Sequence, residues 1–134
     1  MKRPCFLVVD REFAGSISTR KLLIETAKMN VITAYSGAEA LELFDRFPAV
    51  NGVVLDSSLG GVLAEALVKA LKQRNPAVPV IVIESGDGTC EGADHLVRSF
   101  NPAQLLEVLR KIEPEQTRAI EEQDKKLNEE ALSR

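Results

Sequence analysis

The chain has no tryptophan, one tyrosine, one histidine and two cysteines in 134 residues. Each scarcity removes a class of function. One tyrosine and no tryptophan leave no aromatic platform on which a flavin would stack. Cys5 and Cys90 lie far apart and lack the close pairing of a zinc site, so they read as free thiols. With His95 the single histidine, Ser57 and Ser58 have no base in any known nucleophile motif. No apolar run approaches the roughly 18 residues of a membrane span. The opening "MKRPCFLVVD" is basic and then apolar, but it breaks at Asp10, too soon for a signal peptide. The expected location is therefore the cytoplasm. "SGDGT" lacks the Lys-Ser/Thr of a phosphate-binding loop, and Asp87, Glu91 and Asp94 do not have the spacing of a calcium loop. Excess positive charge is also missing. Residues 1–112 hold thirteen acidic and thirteen basic side chains, and residues 113–134 hold seven acidic and four basic. That balance gives no footprint for nucleic acid.

What is present is an alternation. "CFLVV", "VITAY", "GVVLD", "VPVIVI" and "HLV" are short apolar runs rich in β-branched residues. Between and after them lie stripes at helical spacing. Ile17, Leu22, Leu23 and Ala27 form the first, with Ser16 or Ser18 as cap. Ala38, Leu41 and Phe44 form the second, capped by Ser36. Leu63, Leu67, Ala70 and Leu71 form the third, stopped by Asn75-Pro76. The last is "PAQLLEVLRKI", with Asn101 as cap and Pro102 in its first turn. Strand–helix alternation predicts a parallel sheet covered on both faces, and "VPVIVI", apolar throughout, fits its middle. One domain over residues 1–112 accounts for the pattern. Pro114 sets off an acidic, helix-prone tail over 113–134, in which Ile120, Leu127 and Ala131 make a thin apolar stripe. The tail reads as a solvated helix or linker, or as a helix for a partner.

"GVVLDSSLGG" carries the functional question, because an apolar strand stops on a carboxylate, Asp56. In parallel α/β sheets ligands sit outside the carboxyl ends of the strands, near the switch in strand order. Asp10 ends the first strand and Asp56 the third, so both are expected at one edge.

These residues resemble a bacterial response-regulator receiver domain over about residues 5–112. "FLVVDRE" resembles its first strand and acid pair, "TAYSGAEAL" its second strand and helix start, and "VVLDSSLGG" its phosphoacceptor strand and loop. "VPVIVIES" resembles the strand ending in a switch hydroxyl, and "GADHLVRSF" the fifth strand. The resemblance implies a flavodoxin-like (βα)5 fold, a doubly wound parallel sheet of five strands. It implies two-component or phosphorelay signalling, with a histidine kinase, phosphotransfer or output protein as partner. Asp56 matches the phosphoacceptor, Asp10 and Ser58 match metal-site positions, and Glu84, His95 and Arg98 match switch positions.

The departures from that pattern fall on the site. Arg11 replaces the second acid, which deletes an oxygen ligand and adds a charge that repels Mg²⁺. Glu84 stands at the switch hydroxyl, where a carboxylate cannot donate to a phosphoryl oxygen and repels it. Two like unit charges 4 Å apart cost about 1 kcal/mol in water and about 4 kcal/mol at an effective dielectric of 20. Arg98 stands at the lysine position, and Ser99 follows it in place of proline. Two outcomes stay open. Arg11 and Arg98 pair Asp10, Asp56 and Glu84 without a metal, or Mg²⁺ binds weakly. The segment from Glu84 to Arg98 is also about eight residues short, about two helical turns. The fourth helix is therefore expected to be shortened or missing, exposing apolar sheet to the tail, a partner or a second copy in a homodimer. The expected protein is a non-enzymatic, degenerate receiver acting by protein–protein contact. The alternatives are a phosphorylation-competent single-domain regulator and a small-molecule-binding flavodoxin-like module.

Overall fold

The computed structural model describes residues 3–10, 19–57, 61–84, 86, 88–98 and 101–132. Five strands are present: β1 (Cys5–Val9), β2 (Asn30–Ala34), β3 (Gly52–Asp56), β4 (Val80–Glu84) and β5 (His95–Arg98). Five helices accompany them: α1 (Thr19–Thr26), α2 (Gly37–Arg46), α3 (Gly61–Arg74), α4 (Pro102–Ile112) and α5 (Pro114–Leu132). The strands form one parallel sheet in the order β2-β1-β3-β4-β5. This is the doubly wound flavodoxin-like arrangement, with its switch in strand order between β1 and β3. Among the described residues no helix is long and apolar enough to cross a membrane.

Alternation along the strands sorts the core into two layers, because successive side chains point to opposite faces. Leu7, Val9, Val53, Leu55, Val80 and Val82 face α2 and α3, where Phe44, Leu67 and Leu71 meet them. Phe6, Val8, Val54, Ile81, Ile83 and Val97 face α1 and α4, against Ile24, Leu105 and Leu109. β3 is buried along its whole length. At its start a side chain on Gly52 would run into the Phe6 ring and the Pro79 carbonyl, so the absence of a Cβ permits the close approach.

The helix ends follow local chemistry. Ser36 caps α2, its hydroxyl accepting from the Glu39 amide at 3.1 Å, and Asn101 caps α4, accepting from Gln104 at 3.2 Å. The candidate caps Ser16 and Ser18 lie outside the described residues. α1 ends in a Schellman turn. Met29 N–H donates to Ile24 O and Lys28 N–H to Glu25 O, with Lys28 left-handed at φ 67. The buried pair Ile24 and Met29 accompanies it, so the turn is held by packing where no glycine is available.

Two expectations are corrected. No helix is found among the described residues between β4 and β5, as the short segment predicts, yet the sheet there is not laid bare. Val80 and Val82 are fully buried, and Cys90, Ala93 and Leu96 pack into the layer under α3. The connection folds back over the strands because Lys72 ties it down. Its ammonium donates to Asp94 Oδ2 and to Val78 O, both at 2.6 Å, while Asp94 also accepts from the Val80 amide at 2.7 Å. Gly92, at φ 86, makes the turn beside Val68. What remains is a groove between α3 and this connection, lined by Glu65, Val68, Lys69 and Gly92. The apolar surface expected to lie open there is covered by the connection itself.

The tail does not lie there either. α5 packs on the opposite layer, where Ile120 joins the cluster of Ile24, Leu105 and Leu109 at 3% exposure. Thr117 is buried beside it and donates its hydroxyl to Glu113 O at 2.8 Å. Asn51 fixes this corner by accepting from the Cys5 amide and donating to the Glu113 carboxylate at 2.7 Å. Only one turn of the stripe fits the groove between α1 and α4, so Leu127 is 54% exposed.

Candidate functional site

The parallel register brings Asp10, Asp56, Glu84 and Arg98 to the carboxyl edge of the sheet. Asp56 is level with Ile83 on β4, and Glu84 with Arg98 on β5. Asp10 follows β1 directly, and its amide extends the ladder by donating to Ala34 O at 2.8 Å. Asp10 is fully buried and Asp56 is 7% exposed. Two carboxylates this deep need opposite charge, since an unpaired buried ion is costly.

That charge comes from Arg20, at the described start of α1. One guanidinium nitrogen lies 2.7 Å from Asp56 Oδ2, and another lies 3.5 Å from Asp10 Oδ1. The Arg20 side chain is itself largely buried. A planar fork with fixed donors suits a bridge between two carboxylates. The metal-free pairing expected from the sequence names Arg11, which lies outside the described residues, and Arg98, and does not include Arg20. One signal was available. Arg20 and Lys21 stand side by side in α1, whose first described turn holds no acid. A cation in that place is explained by the strand-end carboxylates it faces.

The other half of the edge is built differently. Arg98 does not reach toward Asp56. Its guanidinium donates to Gly86 O at 3.0 Å and to Gly88 O, so it organises the β4–β5 connection. Glu84 accepts from the Gly86 amide at 3.0 Å and from the Ser57 hydroxyl. These two bonds, with help from Arg98 and against the repulsion of Asp56, hold the Glu84 carboxyl below its usual range. The expected pairing of Arg98 with the three acids is thereby replaced. The physical reason is reach: two loop carbonyls lie close to the end of β5, and they take the fork first.

His95, half-buried at the start of β5, is level with Ile81 and so stands deeper along the sheet than Asp56. It does not join the strand-end cluster. Arg11, Ser58 and Ser99 lie outside the described residues. Cys5 and Cys90 are free thiols, and burial pushes both above the ordinary thiol range.

The chain has the fold of response-regulator receiver domains. It superposes on the receiver domain (CheY-like) from Methylobacillus flagellatus with a TM-score of 0.71 at 22% identity, over 84% of this chain and 100% of that one. The receiver domain protein from Methanospirillum hungatei gives 0.70 at 20% identity, over 93% and 99%. Chemotaxis protein CheY4 from Vibrio cholerae gives 0.68 at 24% identity, over 83% and 99%. No protein-family model matches the sequence, and no curated protein sequence matches it either.

Proposed function

We propose that this chain is a receiver-like signalling domain that works by protein–protein contact, with Mg²⁺-dependent phosphorylation of Asp56 impaired. The observation that carries this reading is the Arg20 bridge. On a receiver fold, the carboxylate matching the phosphoacceptor is already held at 2.7 Å by a cation from the chain itself. The switch positions support the reading. Glu84 and Arg98 spend their polar groups on the Gly86–Gly88 connection, so neither is directed at Asp56. A domain whose charges are already satisfied presents one constant surface. Its signal then depends on its abundance or its partner, a histidine kinase, phosphotransfer or output protein in the cytoplasm.

The test is the intact mass of the wild type and of Asp56→Asn after incubation with acetyl phosphate, with and without Mg²⁺. No gain in mass under any condition is the expected result. A Mg²⁺-dependent gain of one phosphoryl group, absent in Asp56→Asn, would instead establish a phosphorylation-competent regulator.

A further inference from the structure

We propose that Arg20 is a built-in counter-cation, and that it is the residue that keeps divalent metal out of the Asp10–Asp56 site. This deepens the reading above and rests on it. The first support is occupancy. The guanidinium touches Asp56 at 2.7 Å and Asp10 at 3.5 Å, which is the space between the two carboxylates that a shared cation would need. The second is charge. The single positive charge of Arg20 sits where a doubly charged ion would have to enter, and the two repel.

Burial makes the arrangement selective. Asp10 has no exposed surface and Asp56 very little, so their negative charge draws any cation that fits. A tethered guanidinium is always charged and always present, whereas a free ion pays for dehydration and for its concentration. Arg20 wins that competition by being part of α1. The same bridge therefore fastens the start of α1 to the ends of β1 and β3, and the site stays in one charge state whatever the metal supply.

The experiment titrates the whole chain with Mn²⁺. Bound ion is read from the loss of its free electron-spin resonance signal, and folding from the melting temperature in the same samples. Four proteins are compared: wild type, Arg20→Gln, Arg20→Lys and the double variant Arg20→Gln with Asp56→Asn. Removing a unit charge 4 Å from a divalent ion is worth about thirtyfold in affinity even at the dielectric of water. Arg20→Gln is therefore expected to bind one Mn²⁺ at least about tenfold more tightly than wild type. Its melting temperature should rise with Mn²⁺, because an ion that binds only the native state stabilises it. Arg20→Lys keeps a positive charge and should behave like wild type, and the double variant should lose the gain. Arg20→Met, which keeps the length of the side chain, serves as the second removal variant if Arg20→Gln folds poorly.

The failures are distinguishable. If neither wild type nor either removal variant binds Mn²⁺ or shows a Mn²⁺-dependent melting shift, the assignment to Arg20 is overturned while the metal-independent reading of the domain stands. If wild type already binds Mn²⁺ as tightly as Arg20→Gln, both are overturned. A gain that survives Asp56→Asn also overturns the proposal, because the ion would then sit elsewhere.

Discussion

The two halves of the sheet's carboxyl edge handle charge in opposite ways. On the β1–β3 side, Asp10 and Asp56 are buried, and one guanidinium from a helix spans them. On the β4–β5 side, Glu84 and Arg98 are more exposed and turn to the backbone of the connection beside them. The first half is a long-range tie between α1 and two strands. The second is a local brace. The difference teaches that charged residues at matching strand ends need not form one cluster, because burial decides which of them must find an ionic partner and which can settle on nearby amides and carbonyls.

The largest effect should come from breaking the buried tie. Arg20→Ala removes the guanidinium that bridges two buried carboxylates, and breaking such a pair by removing one partner costs about 3–5 kcal/mol. Arg98→Ala removes hydrogen bonds on an exposed connection and should cost about 1 kcal/mol or less. Urea unfolding followed by circular dichroism separates the two variants, and equal losses would erase the contrast between the halves.

The same contrast of buried and exposed runs along α5 and gives the next largest effect. Ile120→Ala should destabilise the domain by about 2–4 kcal/mol, the usual cost of emptying a packed position. Leu127→Ala should fall within about 0.5 kcal/mol of wild type, as exposed substitutions do. If both were silent, α5 would not be part of the folded body in solution.

The smallest effect is in pH. Glu84 is held low by the Gly86 amide and the Ser57 hydroxyl. Burial pushes the Asp94 carboxyl up, but Lys72 and the Val80 amide together outweigh it and leave the group below its ordinary value. A carboxyl with a depressed native value stabilises the fold fully above its unfolded value, near pH 4. It loses that contribution as pH falls through the native value. Stability should therefore decline below about pH 4.5, and Asp94→Asn and Glu84→Gln should each flatten the decline. Superimposable urea midpoints between pH 6 and 3 for all three proteins would show that neither brace contributes.

Much of the fold is legible in the sequence. Alternating apolar runs and helical stripes are local patterns, and so are caps. Ser36 and Asn101 stand three residues before the amides they accept from, and the five strands fall where the β-branched runs lie. Asp10 and Asp56 were legible as a pair because parallel strands in a doubly wound sheet end on one edge. Arg20 was not. It lies ten residues beyond Asp10, and the apolar stripe that marks α1 says nothing about a partner for its polar side. Arg98 misled for the complementary reason. Its position in the pattern matched a phosphate-binding lysine, and nothing in the sequence showed that Gly86 and Gly88 would present their carbonyls to it.

By itself, then, the sequence determined the class of fold, the strand ends and the shortened connection between β4 and β5, because each is written in periodicity, length and residue type over a few neighbouring positions. The partners of the charges, the layer on which α5 packs and the covering of β4 by Cys90 and Ala93 were decided only by the tertiary structure. Each depends on which distant surfaces meet and on how much water is excluded when they do, and a charge or an apolar side chain takes the nearest partner that burial leaves to it.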